Sequence, residues 1–177
     1  MDRNLDKFIR YLTIEKNYSA HTVLNYRLDL EDFFAFLAGA PLEGVDYLAV
    51  RKYLALLKER SVNNRTVARH LSSLRSFFKF LTREGFLKSN PIASVSSPKL
   101  DKHLPAFLTE EEITQLLGAV IPKDESGLRD RAILETFYST GIRIAELVGL
   151  SLDDLDLIGG IVKVRGKGKK ERIAPIG

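Results

Sequence analysis

The sequence predicts a mainly α-helical protein that ends in a small α+β region. Three observations support this fold class. Apolar residues recur at helical spacing through residues 5–83, a stretch rich in proline and serine follows, and strict alternation of apolar and polar residues begins only at Ile161. The change of period from 3.6 to 2 near the end places the strands after the helices.

Four predicted helices make up the first part of the chain. They cover residues 5–14, 20–37, 46–59 and 65–83; Ser19 is a suitable N-cap for the second, and Gly85 ends the fourth. Their apolar stripes are predicted to face inward and consist of Leu5, Phe8, Ile9, Leu12, Val23, Tyr26, Leu30, Phe33, Phe34, Leu37, Val50, Tyr53, Leu54, Leu57, Val67, Leu71, Leu74, Phe78 and Leu81. Four helices of this length form a compact bundle, so residues 1–88 are predicted to be one helical domain.

Residues 89–105 lack periodicity and contain Pro91, Pro98 and Pro105 among several serines. Such a composition is typical of a linker between domains.

The second part of the chain begins with a helix that Thr109 and Glu112 open as a capping box. A longer helix is predicted over residues 128–138, and Thr140-Gly141 separates it from a short one beginning at Arg143. Residues 161–165 and 171–176 then form a predicted β-hairpin with a basic tip. So few elements leave little room for a closed core, and we expect residues 106–177 to be an incomplete domain rather than a small complete α+β domain.

Composition excludes several classes of protein. The 177 residues include no cysteine, so disulfides, cysteine-ligated zinc and thiol catalysis are excluded. The histidines His21, His70 and His103 fall on different elements, and no metal site is predicted. No uncharged run exceeds about ten residues and the first twenty residues lack an apolar signal segment, so we expect a cytoplasmic protein without a membrane partner.

Charge is distributed in blocks along the chain. Residues 51–100 carry eleven basic and two acidic residues, a net charge of +9, and residues 161–177 carry six and one, a net charge of +5. The blocks 1–50 and 101–160 have net charges of −3 and −7. Two basic blocks separated by an acidic one indicate two regions that contact a polyanion, although solvated surface charge is the alternative.

The fourth predicted helix concentrates basic and hydroxyl side chains away from its apolar stripe. No acidic residue lies between Ser61 and Arg83, and arginine with short hydroxyls suits a phosphate backbone better than an ordinary mixed-charge face does. The second helix offers a similar but more acidic set. The candidate DNA-binding residues are Thr22, Asn25 and Arg27 on the second helix, and Arg65, Thr66, Arg69, Ser72 and Ser73 on the fourth, with Arg75 at its margin.

Two further features could act on a phosphate. Lys167, with Lys169 beside it on the Gly-flanked hairpin tip, could enter a DNA groove, contact a phosphate or protonate a leaving oxygen. Arg143 begins a short helix, whose backbone N–H groups favour an anion, and Glu146 can orient its guanidinium from position i+3. A solvated turn and a surface ion pair are the alternatives for each taken alone.

Together these motifs resemble tyrosine recombinases of the Xer type. The resemblance rests on the run 140–150, Thr140-Gly141-Ile142-Arg143-Ile144-Ala145-Glu146-Leu147-Val148-Gly149-Leu150, and on Gly166-Lys167-Gly168-Lys169-Lys170-Glu171-Arg172. It extends to Tyr18-Ser19-Ala20-His21-Thr22 with Tyr26, Asp29 and Leu30, and to Asn90-Pro91 and Ser97-Pro98-Lys99-Leu100. The resemblance thus covers the whole chain.

The resemblance implies a function. It implies that residues 1–88 are a SAM-like core-binding domain and that residues 106–177 are the start of a catalytic domain. Such enzymes cut a DNA strand with a tyrosine, hold a 3′-phosphotyrosyl link and rejoin the strand, without a cofactor or metal. Arg143 matches the family's first catalytic arginine, Lys167 its hairpin lysine and general acid, and Glu146 a supporting acidic position. The implied partners are a double-stranded recombination site, further protomers in a synaptic tetramer (the same protein or a paralogue) and a septal DNA translocase.

The sequence departs from the family in lacking its second arginine, the neighbouring histidines and the nucleophilic tyrosine. None of the tyrosines present lies in the matching motif: Tyr11, Tyr18, Tyr26, Tyr47, Tyr53 and Tyr138. We therefore expect an N-terminal part of a recombinase that binds DNA without cutting it, with a role in chromosome-dimer resolution, chromosome partition and cell division. A mobile-element integrase, a non-catalytic DNA-binding protein and a helical protein–protein module are the alternatives.

Overall fold

The computed structural model describes residues 3–100, 104–166 and 170–177. The chain divides into two compact units, residues 1–103 and residues 104–177. It is mainly helical with one small antiparallel sheet, as the sequence predicts.

The first unit is a bundle of four helices. They are α1 (Arg3–Ile14), α2 (Ala20–Leu37), α3 (Tyr47–Glu59) and α4 (Asn64–Arg83), with a short 3₁₀ turn at Leu42–Gly44. Helix α4 packs against each of the other three. Three of the helices begin where a side chain caps them: Ser19, Asp46 and Asn63 each accept a hydrogen bond from the backbone N–H three residues later.

The core of this unit confirms the predicted apolar stripes and adds rings that the pattern did not single out. Phe77 and Phe80 on α4 are buried, and the Phe77 and Phe8 ring centroids lie 5.3 Å apart in an edge-on arrangement. Buried aromatic rings from α1, α2, α3 and α4 therefore meet in one cluster.

Part of the segment interpreted as a linker belongs to the first core. Ile92 is 0% and Val95 2% exposed, and both pack into the helical bundle. Periodicity could not reveal this, because two isolated apolar residues among prolines and serines carry no repeat.

The second unit contains three helices and three strands in the ranges that the structure describes. Helices α5 (Glu110–Ala119), α6 (Glu125–Thr140) and α7 (Ile144–Val148) precede a 3₁₀ turn at Leu152–Asp154 and strands β1 (Leu155–Asp156), β2 (Ile161–Arg165) and β3 (Glu171–Pro175). The sheet order is β1-β2-β3 and both pairings are antiparallel. The β2–β3 hairpin and the Thr109–Glu112 capping box are confirmed. Strand β1 has two residues, too few to show alternation.

Helices α5 and α6 bury no residue fully, and the small core of the second unit lies beside the sheet. Its buried members are Ile142, Val162, Val164 and Ala174. Gly141 ends α6 with a φ of +59°, a left-handed conformation that glycine adopts without strain. This turn sends Ile142 into the core, and the chain then leads directly into Arg143 and α7.

No helix within the described ranges is both long enough and apolar enough to cross a membrane.

Candidate functional site

Glu146 is the centre of a cluster of charged groups in the second unit. It lies on α7, is 7% exposed, and accepts hydrogen bonds from two arginines. The Arg143 backbone N–H lies 2.9 Å from Oε2, and Arg143 Nη1 lies 3.0 Å from Oε1. Arg172 binds the same carboxylate through both terminal nitrogens, each at 3.0 Å. One buried carboxylate thus fixes two guanidinium groups.

Local structure explains why these groups meet. Arg143 is extended at φ −80° and ψ 153°, immediately before the first residue of α7, so Glu146 lies three residues along on the same turn. Arg172 is on β3, where it pairs with Val164 of β2. Spacing predicted the Arg143–Glu146 contact, but it could not predict the contact of Arg172, which lies 26 residues after Glu146 in the chain.

The cluster shows how one backbone N–H group at the start of α7 is used. We expected the backbone N–H groups at this helix start to favour an external anion, but the Arg143 N–H is already bound by Glu146. The Arg143 side chain is 77% exposed although one of its terminal nitrogens is bound to Glu146.

The electrostatics of the cluster fix the charge of Glu146. Hydrogen bonds from the Arg172 side chain and the Arg143 backbone lower the pKa of Glu146 to about 2, against desolvation, which raises it. The same pairing raises the pKa of Arg172. Glu146 is therefore ionised at neutral pH and binds both arginines as a carboxylate.

A pH dependence follows for the second unit. Because the pKa of Glu146 in the folded state, about 2, is below its ordinary value of 4.5, the stabilisation it provides is complete above about pH 5 and is lost as the pH falls towards 2. We expect thermal unfolding of the second unit to show this acid loss in the wild type and a smaller one in Glu146→Gln. Calorimetric melts from pH 7 to pH 2 measure it; equal acid losses in both proteins would contradict the assignment.

The hairpin reaches the same carboxylate. A Cβ atom added at Gly166 would lie 3.3 Å from Glu146 Oε1 and 3.5 Å from the Lys170 carbonyl oxygen, so the backbone of β2 ends against the cluster. Gly166 directly precedes Lys167 in the chain. Lys167 and Lys169 lie outside the described residues, and their predicted roles stay predictions.

Asp154, which is not among the predicted site residues, is a second buried carboxylate in this unit. It is 5% exposed and accepts hydrogen bonds from the Ser151 backbone and side chain at 3.0 and 2.9 Å, and it pairs with Arg165 Nη2 at 2.8 Å. The bonds from Ser151 lower its pKa. The Ser151–Asp154 spacing is a capping signature that could have identified it.

The predicted DNA-binding residues of the first unit differ in their exposure to solvent. Arg65, Arg69 and Ser72 are exposed on α4, and four others are half-buried: Thr22, Asn25, Arg27 and Thr66. Ser73 is 1% exposed, so its assignment to the DNA-binding face is wrong. Position 73 points towards α2, where the Ser73 hydroxyl donates to Asp29 Oδ2 at 2.7 Å.

Asp29 changes the interpretation of the basic face. It is 1% exposed and pairs with Arg69 Nη1, while His70 Nε2 lies 3.2 Å from the same carboxylate oxygen. In the structure Asp29 neutralises Arg69, so the face is not entirely basic.

A chain of polar contacts continues from His70 through the bundle. His70 Nδ1 lies 2.8 Å from the Tyr53 hydroxyl, which donates to Asp32 Oδ2 at 2.9 Å; Asp32 in turn binds Arg60. Burial lowers the pKa of His70 and, with Asp32, raises the pKa of Tyr53.

Within the described ranges, no group of three or more histidine and carboxylate residues is arranged to hold a metal ion.

The other predicted DNA-binding arginines differ in whether their guanidinium groups already have partners within the unit. Arg75 donates to the Val95 carbonyl oxygen and, at 2.9 Å, to Ser97 Oγ, so its guanidinium is used inside the unit and its assignment as a DNA contact is corrected. Arg27 lies 3.6 Å from Asp6 and 3.7 Å from Glu31. Arg65 has no ion pair among the described residues.

Two family comparisons match the two parts of the chain. Residues 5–85 match the family described as Phage integrase, N-terminal SAM-like domain, and residues 106–177 match the Phage integrase family.

Individual relatives agree. The chain is 46% identical to Tyrosine recombinase XerC of Syntrophus aciditrophicus (strain SB), over 100% of this chain and 60% of that protein. It resembles lambda integrase residues 75–356 in a dimer bound to a COC′ core site, with a TM-score of 0.78, 21% identity, and coverage of 97% and 60% of the two chains. A lambda integrase tetramer bound to a Holliday junction gives a TM-score of 0.78, 20% identity and coverage of 97% and 49%.

The chain spans about 60% of the length of the curated relative it matches. The two family matches and the relative's identity agree with the order of a helical unit followed by the Arg143–Glu146 cluster, and on this evidence the chain belongs to the phage integrase family of tyrosine recombinases.

Proposed function

We propose that this chain is the DNA-binding and first catalytic part of a site-specific recombinase, which cleaves and rejoins DNA strands through a 3′-phosphotyrosyl link. The observation that carries the proposal is the Arg143 guanidinium, held at one end by the buried Glu146 carboxylate and otherwise exposed. A surface ion pair does not need a buried carboxylate that is also bound on its other side by Arg172. A preorganised cation does need such a buried carboxylate, because the orientation of the guanidinium must be fixed before charge develops on the phosphate.

In the proposed reaction the Arg143 guanidinium donates to a non-bridging oxygen of the scissile phosphate. A tyrosine supplied from outside this chain passes its hydroxyl proton to a base that is also outside this chain, its oxygen attacks phosphorus, and the bond to the 5′-oxygen breaks. Lys167 protonates that leaving oxygen as the general acid. Glu146 holds Arg143 in place without exchanging a proton, since its pKa of about 2 keeps it ionised at neutral pH. Rejoining is the reverse sequence with a 5′-hydroxyl of the partner strand as nucleophile.

The first unit would hold the duplex through exposed residues of α2 and α4. Arg65 is the clearest candidate, because it is exposed and carries no ion pair in the described part of the chain. Arg69 is a weaker one, since Asp29 shares its charge. The proposal includes further DNA contacts from Thr22, Asn25, Arg27, Thr66, Ser72 and Lys169.

We expect Arg65→Ala to weaken binding of this chain to duplex DNA on the order of fivefold at 0.15 M salt and to reduce the salt slope by about 0.9, the effect of one lost phosphate contact. Fluorescence anisotropy titrations over a salt series measure both quantities. Arg10→Ala on α1 is the matched control and should bind as the wild type. Unchanged affinity in Arg65→Ala would remove α4 from the interface. Arg69→Ala should also weaken binding, and unchanged affinity there would reject Arg69 as a contact.

The partners follow from the family. The similar lambda integrase binds as a dimer to a core site and as a tetramer to a Holliday junction, so we propose that this protein acts in a tetramer on paired DNA sites. From the resemblance to Xer-type recombinases we also propose a role in chromosome-dimer resolution rather than mobile-element integration, with a septal DNA translocase as a cellular partner.

The decisive experiment is an assay for covalent protein–DNA adducts on a nicked recombination site. The full-length recombinase should form an adduct that survives denaturation, and this 177-residue chain should bind the site without forming one. Absence of an adduct with the full-length protein would favour a non-catalytic DNA-binding protein. Loss of duplex binding by this chain would favour a protein–protein module.

A further inference from the structure

The first unit also contains a groove that is not formed by the exposed α2 and α4 residues proposed to hold the duplex. It runs between α3 and the chain segment 96–98, and has a volume of about 260 Å³. Its apolar floor includes Leu54 and Val67, and its walls carry Arg51 and Lys58 on one side and Ser96 and Ser97 on the other. None of the described residues that line the groove is acidic.

The serine wall is held in place by the fold. Ile92 and Val95 are buried in the bundle core, and Arg75 on α4 binds the Val95 carbonyl oxygen and the Ser97 hydroxyl. The segment is therefore fixed against the bundle at the point where it forms the groove. Arg75 therefore holds the segment that carries Ser96 and Ser97 in place, which differs from the predicted DNA contact.

The cationic wall is equally well defined. Arg51 and Lys58 are seven residues apart on α3, about two helical turns, so they project from the same side of the helix. Both are exposed, and neither forms an ion pair within the described ranges. The Arg51 guanidinium carbon lies 5.9 Å from the centre of the Tyr47 ring, which limits the directions the side chain can take.

We propose that this groove binds a backbone phosphate of duplex DNA, with Arg51 and Lys58 supplying positive charge and Ser96 and Ser97 supplying hydroxyl donors. The inference rests on the proposed DNA-binding function and extends it to a second contact region. Two cations, two hydroxyls and no carboxylate form a suitable environment for a phosphate oxygen. Residues 51–100, which supply the whole groove, carry a net charge of +9, which favours a polyanion. Duplex DNA is the polyanion that the proposed function provides, and binding of an acidic protein segment instead is an outcome of the test.

The test compares two double variants of the 177-residue chain. Arg51→Ala with Lys58→Ala removes the cationic wall, while Arg10→Ala with Lys52→Ala removes the same charge from exposed positions elsewhere in the unit. We expect the groove variant to bind duplex on the order of fivefold more weakly at 0.15 M salt, with a salt slope lower by about 0.9, and the control to bind as the wild type. Matching circular dichroism melts establish that both variants are folded.

A scan of duplexes with single neutral methylphosphonates then locates the contact. One substitution should weaken the wild type by the same factor and leave the groove variant unchanged. Equal losses in the two double variants would show a general charge effect and overturn the proposal. So would a groove variant that binds DNA as the wild type but no longer binds a glutamate-rich peptide. If the wild-type chain itself does not bind duplex, the proposed function fails, and the groove proposal fails with it.

Discussion

Replacing Arg143 by alanine in the full-length recombinase is expected to lower the rate of strand cleavage by at least about 10²-fold while leaving affinity for the duplex nearly unchanged. The size of the effect is that of removing one preorganised donor from a charge-stabilising site. Binding persists because the phosphate contacts assigned to the first unit do not involve Arg143. Adduct formation on a nicked site and an anisotropy titration on the same duplex measure the two quantities separately.

Arg131→Ala is the matched control for this prediction. Arg131 is an exposed arginine of α6 in the same unit, paired with Glu135 at 2.8 Å, so its loss removes the same charge without touching the Glu146 cluster. Cleavage by that variant should equal the wild type. Near-normal cleavage by Arg143→Ala would reject Arg143 as a catalytic residue, and an equal loss in both variants would attribute the effect to net charge.

Replacing Asp29 by alanine is expected to lower the free energy of unfolding of the first unit by about 3 kcal/mol. Asp29 is buried but its partner Arg69 is exposed, so water can solvate the guanidinium that is left, and this case lies at the lower end of the cost of breaking a buried pair. The buried Ser73 hydroxyl also loses its acceptor, which adds the cost of a buried polar group without a partner. Urea denaturation followed by circular dichroism at 222 nm measures the change.

The control is Asp6→Ala, which removes an aspartate from an exposed pair with Arg27 at 3.6 Å. A surface pair of this kind contributes less than about 1 kcal/mol, so the two variants should differ clearly. Similar midpoints for both would mean that the Asp29 network contributes no more than a surface ion pair does.

Much of the fold could be predicted from local sequence. Ser19 and Thr109 fix helix starts because a side chain accepts a hydrogen bond from a nearby N–H, and this depends only on residues three apart. The β2–β3 hairpin shows equally clearly, since alternation and a glycine-rich turn are both local. The Arg143–Glu146 contact belongs to the same group, because it spans a single helical turn.

The assignments that failed concern side chains whose partners are distant in sequence. Ser73 and Arg75 were placed on a DNA-binding face from helical spacing alone, but Asp29 is 44 residues from Ser73, and Val95 is 20 residues from Arg75. A helical wheel gives the angle of a side chain, whereas the neighbouring element determines what lies at that angle. The role of Arg172 was missed for the same reason.

The sequence by itself determined the order of the helices, the β2–β3 hairpin and the caps at Ser19 and Thr109. It also determined the motif that places Arg143 and Glu146 in this family. Each of these features depends on residues within a few positions of one another. Tertiary structure alone decided which charges are free and which are bound. It buried Glu146 between two arginines and Asp29 beside Arg69, and it brought residues 96–98 against α3. The physical reason is that the energy of a charge depends on its burial and its nearest partners, and these are set by the packing of elements distant along the chain.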